Sequence, residues 1–94
     1  MSTGDKDEGA IINDTMELTL RAPISSGDVQ YESITLCEPI AMQIEQFTKD
    51  IDKYGAVAAQ IKFISANSKV PEGAIKKLKA RDYKEAVDYL SSFL

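Results

Sequence analysis

The chain has 94 residues, a formal net charge of −4, no histidine and one cysteine. That inventory excludes an internal disulfide, most hydrolytic triads and most transition-metal sites. The charge is divided, with four basic and eleven acidic side chains in residues 1–55 (−7) against seven basic and four acidic in residues 56–94 (+3). Such a division either steers a partner and favours head-to-tail self-association or reflects two solvated faces.

Residues 1–13 combine Gly4, Gly9 and alternating charges with no periodic apolar face, so the expectation is a loose acidic tail followed by a single α+β domain over 14–94. Ile11 and Ile12 are the exception, able to extend the first strand or cover its edge. The polar start argues against a signal or transit peptide, and no apolar run reaches the length of a membrane span, so the cytoplasm is the expected compartment.

From Glu17 to Pro39 the pattern is that of two strands and a turn. Met16, Leu18 and Leu20 share one face, and Glu17, Thr19 and Arg21 share the other. Ser25 to Asp28 supply turn formers, with Gly27 free to take a positive φ, and the second strand places Ile34 and Leu36 opposite Thr35 and Cys37. Pro23 has no N–H to donate and so limits the first strand's place in a ladder. Cys37 reads as a small buried hydrophobe. A two-stranded sheet is marginal alone and needs helices over one face.

Everything after Pro39 reads as helical. Ile40, Ile44, Phe47, Ile51 and Tyr54 form a stripe at steps of four and three, predicting a helix from Pro39 to Tyr54 that ends at Gly55 as a left-handed cap. Ala56 to Ala66 is apolar on more than one face, which fits either a core helix or an interface helix. Pro71 to Lys79 is short, with Ala74, Ile75 and Leu78 apolar. Asp82-x-x-Glu85 resembles a capping box for a last helix with Tyr83, Ala86, Val87, Leu90, Phe93 and Leu94 inward and Tyr89 off the stripe. The fold class is therefore α+β, a β-hairpin packed on three to four short helices, with Phe47, Ile51, Val87 and Leu90 in one core.

The arrangement Leu18-Thr19-Leu20, Pro23, a turn with Gly27, and then Ile34-Thr35-Leu36-Cys37-Glu38-Pro39 resembles the opening of the phage tail assembly chaperone family of contractile-tailed phages and Mu-like prophages. The resemblance runs through residues 16–94: a short helix from Pro71 to Leu78, a connector at Arg81-Asp82-Tyr83, and a last helix from Glu85 to Leu94. It implies a non-enzymatic protein of the bacterial host cytoplasm that is absent from the mature virion. Its partner would be the tail tape measure protein, kept soluble until the tube polymerises.

No chemistry competes with that implication. Asp50 and Asp52 point apart on a helix, Gly27, Gly55 and Gly73 are isolated rather than a phosphate loop, and no cofactor or metal site is visible. The alternative is a small nucleic-acid-binding regulator using the basic segment Lys69, Lys76, Lys77, Lys79, Arg81 and Lys84, although the last helix also carries Glu85 and Asp88. For partner binding the candidates are Val57, Ile61, Phe63 and Ile64. They cannot share one face, because Phe63 lies about 100° from Ile64 and about 200° from Ile61 around a helix, and Phe63 is the expected outward member.

Overall fold

The computed structural model describes residues 14–94; the acidic stretch 1–13, expected to be a loose tail, lies outside the described residues. The chain forms β1 (Thr15–Ser26), β2 (Val29–Cys37), α1 (Ala41–Tyr54), α2 (Ala56–Ser68), α3 (Glu72–Ile75) and α4 (Ala80–Ser91). This is the expected α+β arrangement of a hairpin followed by helices.

β1 and β2 pair antiparallel through a two-residue turn at Gly27-Asp28, with Gly27 at φ 60°. Glycine at the first central position with positive φ is the type II′ pattern, whose twist matches that of the flanking strands. The ladder runs in register from Thr15↔Cys37 to Thr19↔Ser33 and resumes at Ile24↔Tyr31. Between them Leu20, Arg21, Ala22 and Pro23 stand opposite Glu32 alone, a wide bulge placed where Pro23 has no N–H to contribute. The net shift is odd, so the inward positions on β2 change from Ile34 and Leu36 to Tyr31, while β1 keeps Leu18, Leu20 and Ile24 inward.

The inward face of the hairpin meets Phe63 and Ile64 of α2, Val70, Ala74 and Ile75 at α3, and Ala86 and Leu90 of α4. Each large aliphatic side chain buried here contributes roughly 1.5–3 kcal/mol by leaving water. α2 is the central helix, packed by β2, α1, α3 and α4. Its lack of one polar face follows from that position: a helix covered on several sides needs no wet stripe.

Several expectations are corrected. α4 starts at Ala80, not after Asp82, and Asp82 caps nothing: Lys79 is the N-cap residue and makes no side-chain cap bond. Cys37 is exposed, because only its backbone is engaged at the end of β2. Tyr89 is half-buried against the core and meets Phe93 edge-on at 5.3 Å between ring centroids. Ile51 is exposed on α1 rather than part of the core. Gly55 has φ 93° and ψ 166°, outside the left-handed helical region and in a region that essentially only glycine occupies.

Candidate functional site

Gly55 is the one residue between α1 and α2, and it folds the two helices into an antiparallel arm. Phe47 lies eight residues before it and Phe63 eight after, and their rings stack with centroids 4.7 Å apart at 24°. Twelve residues to either side, Asn67 Nδ2 donates to Gln43 Oε1 at 3.1 Å. Asn67 also ties the arm to the sheet: its Oδ1 accepts from the Cys37 N–H at 2.8 Å and its Nδ2 donates to the Cys37 carbonyl at 2.9 Å. A single buried amide thus completes the end of β2 and fixes the foot of both helices, so neither the strand nor α2 leaves that pair of backbone groups unsatisfied.

Among the described residues, α1 packs as a helix on α2 alone. Its apolar stripe is therefore only partly used. Ile44 and Phe47 are half-buried, whereas Ile40, Met42, Ile51 and Tyr54 are exposed, Met42 to 71%. Between the two helices runs a groove of about 230 Å³ lined by Met42, Gln43, Gln46, Phe47, Asp50, Lys62, Phe63 and Ala66. Asp50, the one buried residue of α1 at 7% exposure, faces it and accepts a hydrogen bond from Gln46 Nε2 at 2.9 Å. Lys62 Nζ is turned to Glu72, at 3.3 Å, and lies 4.6 Å from the ring centroid of Tyr54.

The four residues expected to bind a partner are distributed unequally. Val57, beside the Gly55 break, is 62% exposed; Ile61 is half-buried; Phe63 and Ile64 are buried, Phe63 to 6% exposure. Phe63 is not the outward member of the set. The ring of Phe47 covers it, which makes α2 the core helix and moves the open apolar surface to α1. Ile40, Ile51 and Tyr54 belong to the stripe expected to face inward, and Met42, which falls off that stripe, is the one signal in the sequence that α1 has a second apolar edge.

At the opposite end the bulge in β1 is closed by α4. The N–H of Arg21, set free from the ladder, donates to Asp82 Oδ2 at 2.8 Å, while Arg21 Nη1 reaches Asp82 Oδ1 at 3.0 Å and Glu85 Oε1 at 2.5 Å. Hydrogen bonds to Glu85 and then to Asp82 raise the Arg21 guanidinium above its ordinary pKa. Asp82 is fully buried, so the two acids that resembled a capping box instead seal a break in the sheet. The Tyr83 hydroxyl donates to Gln60 Oε1, and burial raises the phenol's pKa. The pKa of Tyr89 is raised by burial first and then by its electrostatic neighbours Cys37, Asp14 and Glu38. The basic segment does not converge on a recognition helix: Lys77 donates to the Ser25 carbonyl, Lys84 pairs with Asp88, and α4 turns its acids to Arg21.

The family model described as phage tail assembly chaperone proteins, E, or 41 or 14, matches residues 17–94. The chain belongs to the phage tail assembly chaperone family. The matched span takes in the hairpin and all four helices, so the arm and its groove lie within the chaperone's family region. No curated protein and no solved structure matches it. The family is one of tail assembly chaperones, and no helix among the described residues is long and apolar enough to cross a membrane.

Proposed function

We propose that this chaperone binds apolar helical segments of the tail tape measure protein through its α1–α2 arm and keeps that protein soluble until the tail tube polymerises. The complex forms in the cytoplasm of the bacterial host, and the chaperone does not remain in the virion. The observation that carries this reading is the groove between α1 and α2 with the exposed Met42 at its lip, together with the further exposed apolar side chains of α1, on an arm anchored at its foot by Asn67. Exposed apolar side chains flanking a concave strip with a polar rim are the form in which a groove receives an amphipathic helix. Val57 continues that surface around the tip of the arm, whereas Phe63 and Ile64 support it from beneath by holding Phe47 and the core in place. Family membership supports the same reading, since a tail assembly chaperone acts on protein partners in tail assembly.

Co-expression tests it. The tape measure protein encoded by the same phage is produced with and without the chaperone, and its soluble fraction is measured after lysis. The expected result is a soluble complex that co-purifies through a tag on the chaperone. Equal insolubility in both cases removes the tape measure protein as the client.

A further inference from the structure

The groove contains a carboxylate whose position the packing of the arm does not require. Asp50 is nine-tenths buried and borders the strip floored by the stacked rings of Phe47 and Phe63, and its one recorded partner among the described residues is the amide of Gln46 on its own helix. Oδ1 takes that bond, and Oδ2 accepts none from the described residues. A carboxylate nine-tenths buried at the edge of an apolar groove and held by one neutral hydrogen bond has acceptor capacity to spare. The cation that lines the same groove does not take it up, since Lys62 is committed to Glu72 and to the face of Tyr54.

We propose that the groove selects, on its partner, an apolar helical segment bearing one lysine or arginine, and that this cation pairs with Asp50 Oδ2 as the neighbouring apolar side chains settle on Met42, Phe47 and Ala66. The inference rests on the reading of the tape measure protein as client and deepens it by naming the segment chosen. Charge complementarity carries it: an acid at the edge of an apolar strip attracts a basic amphipathic helix and disfavours an acidic one, because an approaching carboxylate would meet a like charge with little water between. The 230 Å³ of the groove accommodates side chains rather than a whole helix, so the partner lies across its mouth with one basic and one or two apolar residues inserted. The acidic balance of residues 1–55 draws the same sign of partner from a distance.

The test uses the full chain and overlapping, fluorescently labelled peptides of about twenty residues, roughly 30 Å of helix each, spanning the tape measure protein of the same phage. Anisotropy titration ranks them. The tightest binders are expected to carry lysine or arginine within an apolar stripe. Replacing that residue by norleucine should weaken binding to the wild-type chain about thirtyfold or more, the lower end of the cost of losing one member of a desolvated pair. Against Asp50→Asn, which keeps an oxygen for Gln46, the two peptides should bind alike. Equal binding of the lysine and norleucine peptides to the wild-type chain overturns the inference while leaving the tape measure reading in place, and that arm needs no variant to fold. Tightest binders without a basic residue, or no binding by any peptide, also overturn it. So does a dimer in sedimentation velocity that Asp50→Asn dissociates, since a second copy would then fill the groove.

Discussion

The base of the molecule and its arm are built from the same kind of apolar pattern and end in opposite states. In the base, Leu36, Ile64, Ile75 and Leu90 are lost to solvent between the hairpin and three helices. In the arm, α1 has a stripe just as regular, yet Ile40, Ile51 and Tyr54 on it stay exposed, as does Met42, about 180° around the helix from Ile51. The difference lies in what each stripe meets. A stripe fixes the face a helix offers but not whether the chain supplies enough surface to cover it, and α1, folded back by one glycine, meets α2 alone. The same fold-back encloses α2, so a helix that looked too apolar for its surroundings is the buried one.

The contrast makes graded predictions, the largest in the base. Leu36→Ala removes a fully buried side chain between sheet and helices and is expected to cost about 2–5 kcal/mol by chemical denaturation; a loss under about 1 kcal/mol would show that the base is not closed. Next is Asp82→Ala, which strands the Arg21 N–H inside the bulge. An expected cost of about 1–3 kcal/mol follows from the unsatisfied donor, since the half-exposed Arg21 guanidinium keeps Glu85, with Asp82→Asn milder because one oxygen remains to accept from that N–H. Were the two variants equally stable to the parent, the bulge would not depend on α4.

Gly55→Ala probes the arm. Nothing stands within 4 Å of where its Cβ would be, so the cost of about 1–3 kcal/mol is conformational alone. A variant as stable as the parent would mean that the arm tolerates another link between α1 and α2. The smallest effect is alkaline. Tyr83 and Tyr89 have folded pKa values raised above the ordinary phenol value, so their stabilisation is fully present below about pH 10 and lost as pH rises through the raised values. Urea midpoints from pH 8 to 11 should hold and then decline, less steeply in Tyr83→Phe; an unchanged slope in that variant would remove Tyr83 from the account.

How much of this was legible follows local signals. Strict alternation around Ser25 to Asp28 specified the hairpin, and the steps of four and three specified α1 and α4, because both patterns are written in neighbouring residues. Pro23 marked where the ladder fails. What it could not show was that the released N–H of Arg21 would find Asp82, 61 residues away, and Asp82-x-x-Glu85 matched a local motif well enough to hide that pairing. The binding face was misplaced for a related reason. The sequence pattern of α2 leaves Phe63 without visible cover, but the cover is Phe47, brought over it by the unusual backbone of Gly55. Of the four candidates only Val57 is exposed, and the groove with Asp50 had no signature, since one aspartate on a helix ordinarily reads as solvated surface.

The central claim is that the open arm, and not the closed base, holds the client. The most direct measurement compares two variants in the same co-expression: Met42→Ser/Ile51→Ser/Val57→Ser on the arm, and Val29→Ser, an exposed apolar residue at the hairpin turn, on the base. Surface changes of this kind each alter stability by about 0.5 kcal/mol or less, so Val29→Ser should unfold near the parent's midpoint and the triple variant within about 1.5 kcal/mol of the parent. Loss of soluble tape measure protein with the arm variant and full retention with Val29→Ser is the predicted result. Retention with both, or loss with Val29→Ser alone, would contradict the account.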